Sequence, residues 1–137
     1  MADAVSFRVE GAAALDRALA QIDDVTQGQV LRRAALAGAE ILRDGMVSRA
    51  PRERGDLAAG IRIQALEVPT GAEADIGPGH DAFYGMFLEF GTVKMAARPF
   101  MRPTVDADGP TAVTEAMQVL EREIAREVEK ARRAGSR

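Results

Sequence analysis

The sequence predicts an α+β fold: a small antiparallel sheet packed by a long helix, with short helices and a C-terminal helix. Three observations carry that expectation. Three short segments alternate apolar and polar residues, the period of half-buried strands. Between the first two of them, the stretch from Gln27 to Ser48 repeats apolar and small residues at helical spacing. The end of the chain repeats apolar residues again at intervals of three and four.

Taken in order, VSFRVEG sets Val5, Phe7 and Val9 against Ser6, Arg8 and Glu10, and Gly11 ends this first strand. AAALDRALAQIDD follows as a short helix with Leu15, Leu19 and Ile22 on one face. The long helix from Gln27 to Ser48 carries the stripe Leu31, Ala34, Ala35, Gly38, Ile41, Leu42 and Met46. Its small central residues allow another element close to the backbone. It stops before Pro51, because the residue ahead of a proline disfavours the helical conformation. PRERGDLAAG is a turn-rich connection marked by Pro51, Gly55 and Leu57.

IRIQALEV and AEADIG then form a hairpin across PTGAE, with Ile61, Ile63 and Ala65 facing Ala72, Ala74 and Ile76 on the inner side. DAFYGMFLEFG is a short helix with Asp81 as its N-cap and Gly91 just past its end. In the C-terminal helix the expected inner stripe is Val113, Met117, Leu120, Ile124, Val128 and Ala131. Asp108, Gly109 and Pro110 are expected to break or kink the start of that helix, since proline is tolerated only in a first turn. Residues 1–131 read as one domain and 132–137 as a frayed basic tail.

At 137 residues the chain is long enough for one domain with a core. Hydrophobic residues make up 47% and charged residues 28%, a globular balance. A net charge of −3 provides no general attraction to nucleic acid or to an anionic membrane surface. No apolar run is long enough to span a bilayer, and the N-terminus lacks the basic and apolar regions of a signal peptide, so synthesis and use in a cytosol are expected. Without cysteine the chain has no disulfide, thiolate metal site or thiol nucleophile, and one histidine excludes a multi-histidine metal site.

No catalytic, cofactor-binding or metal constellation emerges. His80 lacks a nucleophile at a suitable position, and its neighbour Asp81 is already explained as a cap. GPG at residues 77–79 is a bend, since no Lys-Ser/Thr follows at phosphate-loop spacing. RGD at residues 54–56 reads as a turn, not an adhesion ligand. Glu123 with Arg126 and Glu129 with Arg133 have the spacing of surface helix pairs. The basic residues Lys130, Arg132, Arg133 and Arg137 complement a helix C-terminus. A nucleic-acid-binding or nuclease function would need the histidine–carboxylate cluster and basic balance that this chain lacks.

The residues that stand out are apolar. Phe83, Tyr84, Phe87, Phe90 and Phe100 fall within eighteen positions, with Met86, Met95 and Met101 among or beside them. Several lie in EFGTVKMAARPFMRP, residues 89–103, where a glycine and two prolines prevent one continuous helix. Concentrated aromatics anchor cores and interfaces, and burying all of these is easier with a neighbouring subunit. Pro99 and Pro103 stiffen the segment and so lower the ordering cost of docking. Glu89 stands between Leu88 and Phe90 in the least polar part of the chain. Either it has a cationic partner, Lys94 and Arg98 being nearest in sequence, or it points to water.

These residues also carry a resemblance. FYGMFLEFGT at residues 83–92 resembles the signature of siphophage neck and tail-completion proteins, the tail-component family of lambda-like phages (minor tail protein Z-like). Ala50 and Pro51 with RGDLAAGI, and ARPFMRPTVD at residues 97–106, are similar to two further segments of that family. Arg54 and Thr104 depart mildly from it, as do Gly109 and Pro110. The resemblance implies a non-enzymatic virion subunit without cofactors, acting in the neck or tail and made in the host cytoplasm. It implies a ring, commonly hexameric, at the head-proximal end of the tail, against head-closure, terminator or tail-tube proteins. DNA would pass the lumen without sequence-specific binding, and no membrane is involved. A tail terminator or head-closure (stopper) subunit is the alternative. The signature and interface candidates are Tyr84, Glu89, Phe90, Gly91, Thr92, Arg98, Pro99, Phe100, Arg102 and Pro103.

Overall fold

The structure, a computed structural model, describes residues 4–9, 17–51, 56–79, 82 and 84–135. Three strands, β1 (Val5–Val9), β2 (Ile61–Leu66) and β3 (Ala72–Pro78), form one antiparallel sheet in the order β1-β3-β2. The expected hairpin is present, with Ile63 opposite Ile76 and Ala65 opposite Ala74. β1 lies on the other side of β3, pairing Val5 with Ile76 and Val9 with Ala72. The alternation read from sequence sets the buried face: Ala72, Ala74 and Ile76 are buried along β3, while Arg62 and Gln64 on β2 are exposed. Across the open face Ser6 Oγ donates to Asp75 Oδ1 at 2.6 Å.

The long helix α1 spans Asp24–Arg49. Asp23 starts it, accepting from the Thr26 N–H at 2.8 Å and the Thr26 hydroxyl at 2.9 Å. That satisfies one of the four N–H groups a helix start leaves without internal partners. Ala50 ends the helix in an extended conformation ahead of Pro51. Of the expected first short helix, residues 17–19 are helical, Leu19 and Ile22 are buried, and Leu15 lies outside the described residues. Gln27 Nε2 ties that turn to α1 by donating to the carbonyls of Leu19 and Ile22, both at 2.8 Å.

α1 is the common partner of the sheet and of the C-terminal helix, which explains its many small buried residues: Ala34, Ala35, Gly38, Ala39 and Gly45. At Gly38 the Phe7 ring of β1 takes the space of a Cβ. At Gly45 the Thr104 methyl and the Asp108 carboxylate approach the backbone. A short turn of helix, α2 (Asp56–Ala59), leads into β2, and α3 (Gly85–Phe90) follows the sheet.

The C-terminal helix α4 spans Met101–Gly135 and corrects two expectations. Gly109 and Pro110 do not break its start, because it begins nine positions before Pro110, at Met101, and continues through it. Pro110 is exposed, so its ring meets solvent. The inner stripe is also rotated. Ala112, Ala116, Val119, Leu120 and Ile124 are buried, whereas Val113 and Met117 are exposed. The close approach to α1 selects alanines on the inner face and turns the larger side chains outward. Glu123 is a third correction. It is buried, and it accepts from Arg33 of α1 at 3.2 Å as well as from Arg126 at 3.1 Å, so it bridges two helices.

α1 and α4 run antiparallel. Near the other end of the pair Arg49 Nη1 donates to Asp108 Oδ2 at 2.7 Å and to the Thr104 hydroxyl at 3.3 Å. At 1.5 Å per residue α4 is about 52 Å long and α1 about 39 Å, so α4 extends beyond its partner. Residues 129–135 are all exposed, and helix continues through Gly135 into the stretch expected to fray. No helix among the described residues is long and apolar enough to cross a membrane.

Candidate functional site

Helix α3 and the chain from Gly91 to Phe100 form the region the sequence singles out. α3 sits on Leu57, Pro78 and Phe100 at Gly85, where a Cβ would lie 2.8 Å from Leu57 Cδ1 and 2.9 Å from Pro78 Cγ. Leu57, from the expected turn, is thus a core residue, and Pro51 is half-buried at the end of α1. Gly55 and Asp81 lie outside the described residues, and α3 starts at Gly85 with Tyr84, not Asp81, at its N-cap. Tyr84 precedes α3 half-buried, packed on the same core as Phe100 and Met101.

Glu89, near the end of α3, is only 1% exposed. It does not point to water, and its partner is neither Lys94 nor Arg98. Its Oε1 accepts from the N–H groups of Phe100 at 2.9 Å and Met101 at 2.6 Å. Its Oε2 accepts from the N–H of Arg102 at 3.3 Å and from Arg102 Nε at 2.8 Å. These are the backbone donors at the start of α4, where the helix dipole favours an anion. The next residue, Pro103, has no N–H to satisfy, and the i→i−4 ladder takes over from Thr104. One carboxylate therefore accounts for every N–H at the start of a 35-residue helix.

Arg102 closes the site from outside. Its Nη2 donates to the Glu89 carbonyl, and its guanidinium carbon stands 5.3 Å from the centroid of the Phe90 ring. A buried carboxylate costs several kcal/mol in lost solvation unless its oxygens are fully partnered. Here they are. Burial pushes the Glu89 carboxyl up, but Arg102 and the N–H groups of Met101, Phe100 and Arg102 outweigh it and hold it below the ordinary carboxylate value.

The clamp fixes both ends of an exposed hairpin. Gly91 turns the chain with φ 76°, a conformation other residues rarely adopt. Thr92 and Met95 then exchange backbone hydrogen bonds, at 2.8 Å from the Thr92 N–H and 3.2 Å from the Met95 N–H. The Arg98 N–H returns the strand to the Leu88 carbonyl at 2.6 Å. Val93 stands at the tip with its side chain wholly in solvent, and Phe90 is 57% exposed beside it. Phe87 and Met95 are exposed as well.

The structure thus divides the segment the sequence treated as one. Phe100 and Met101 are core, Glu89 and Arg102 are the clamp, and Phe90, Thr92, Arg98 and Pro99 are exposed, with Pro103 in the first turn of α4. Val93 was not singled out from sequence. Its signal is an isolated apolar residue inside a Gly-Thr turn.

Among the described residues no group of carboxylate and histidine side chains gathers as a metal site. The fold and this clamp define a small α+β unit with an exposed apolar hairpin anchored at both ends. The family profile described as "Bacteriophage HK97-gp10, putative tail-component" matches residues 13–91, more than half of the chain. The chain belongs to this family of phage tail components. No curated protein matches it, and no solved structure matches it.

Proposed function

We propose that the chain is a ring subunit at the head-proximal end of a phage tail, completing the tail and joining it to the head. The observation that carries this reading is the Thr92–Met95 hairpin, which presents Val93, Met95 and Phe90 to solvent from a fixed base. A monomer gains nothing from holding apolar side chains in water. A subunit that docks gains their burial, and a preset hairpin keeps the ordering cost of docking small.

In this reading about six copies close a ring, the hairpin contacts lie between subunits, and neighbouring head-closure, terminator or tail-tube proteins stack on its faces. DNA passes the lumen without base-specific contact, in keeping with a net charge of −3. Cryo-electron microscopy of the particle neck tests the position. A ring of this chain between the tail tube and the head-closure proteins is the expected result. Density in the terminator or stopper ring instead would assign it to that neighbouring role, and density away from the neck would overturn the proposal.

A further inference from the structure

We infer that the hairpin of one copy seats in a groove at the N-terminal end of α1 of the next copy, with Lys94 meeting Glu67 and Glu73. This rests on the ring reading above and names its contact. The groove has a volume of about 320 Å³ and lies between the first turns of α1 and the β2–β3 turn. Val25 and Val68 line it, and Val25 is 72% exposed, a large apolar side chain in water at the start of a helix.

Gly28 forms part of the same wall. A Cβ there would meet nothing within 4 Å, so no contact among the described residues requires glycine. Glycine weakens a helix interior relative to alanine; space for an incoming backbone gives it a use.

Charge selects the occupant. Among the described residues lining it, the groove carries Glu67 and Glu73 against one cation, Arg32, while the exposed tip of the hairpin carries Lys94 beside Val93. Distance excludes the chain's own hairpin. α3 and the hairpin base pack with Met46, Ala50 and Leu57 at the C-terminal end of α1. From Gly28 to Met46 is about 27 Å along the helix. Hairpin and groove are therefore two different patches at opposite ends of one molecule. Their contact is head-to-tail, the kind that propagates from copy to copy and closes when the rotation permits.

The absence of native cysteine allows a clean test. Chains carrying Val93→Cys together with Gln29→Cys, on the same groove wall, assembled in particles and oxidised, should run as a ladder of covalent multimers under denaturing conditions. Each single variant should run as a monomer. Adding Lys94→Glu should reduce the ladder about tenfold, and Glu67→Lys should restore it. Circular dichroism and thermal midpoints close to those of the unaltered chain establish that each variant folds. A neck ring without the ladder would overturn the docking and leave the position standing. A dimer band from Val93→Cys alone would also overturn it, since that contact is symmetric. A ladder from a protein absent from the neck would uphold the docking and remove the position.

Discussion

Phe7 and Gly38 touch ring to backbone, joining β1 to the middle of α1 with no room for a methyl group between them. Gly38→Ala would ordinarily strengthen a helix. Here it forces the ring away, and a loss of about 1–3 kcal/mol is expected from overpacking. Gly28→Ala, where a Cβ meets nothing, should instead raise stability by roughly 1 kcal/mol. Urea midpoints of the two variants should move in opposite directions, and a stabilising Gly38→Ala would refute the contact.

Glu89→Ala removes an acceptor shared by three backbone N–H groups and Arg102. A loss of about 3–5 kcal/mol is expected, because each buried N–H left without an acceptor costs about 1–3 kcal/mol, while Arg102 remains largely in solvent. Glu89→Gln keeps one acceptor oxygen and should lose less. Hydrogen exchange locates the effect: the amides of Phe100, Met101 and Arg102 should lose protection first. Equal protection in both variants would show that the clamp does not hold the start of α4.

The same carboxylate makes stability depend on acid. Glu89 ionises below its usual value in the fold, so its contribution is complete above about pH 4.3 and is lost as pH falls through the folded value. The gap in urea midpoint between the unaltered chain and Glu89→Gln should be widest near neutrality and close in acid. Asp23, held low first by the Thr26 N–H and then by its hydroxyl, shifts in the same direction. It is present in both chains and cancels in the comparison. A gap that widens in acid would contradict the assignment.

Two apolar residues seven positions apart should separate folding from assembly. Phe100 is fully buried, and Phe100→Ala is expected to cost about 3–5 kcal/mol. Val93 is wholly exposed, and Val93→Ser should leave the thermal midpoint within about 0.5 kcal/mol of the original while abolishing incorporation into particles. Normal particles from Val93→Ser would remove the hairpin from the assembly contact.

Pro110 lies inside α4 and is exposed. Its missing N–H and its ring oppose a helix interior, so Pro110→Ala should stabilise the chain, by up to about 3 kcal/mol. Calorimetry of the full chain reads this directly. A neutral result would mean that the helix already accommodates the ring without loss.

The sheet and α1 were legible because their signals are short-range. Alternation fixes the inner side of β2 and β3, and the helical spacing from Gln27 with Pro51 beyond its end brackets α1 within a few residues. The clamp was not legible. Sequence offers Glu89 either the nearest cations, Lys94 and Arg98, or water, because sequence distance says nothing about where a helix begins. The start of α4 was itself obscured: Pro99 and Pro103 read as stiffeners and Gly109-Pro110 as a break, although proline suits a first helical turn. The rotated stripe has another cause. Val113 and Met117 are the stronger apolar residues, but the distance to α1 admits Ala112 and Ala116. Only a partner surface could reveal that.

The order β1-β3-β2 has a consequence for how the chain comes to be folded. β1 leaves the ribosome first, yet the strand it pairs with begins at Ala72. Until then Phe7 has no sheet to position it over Gly38, and β1 has no edge to pair with before β3 is made. Contacts so distant in sequence form slowly, after local ones. The N-terminal strand therefore acts as the closing piece of the subunit. A nascent chain cut short before β3 would have α1 made and its Gly38 groove empty, leaving apolar surface open to other proteins in the cell.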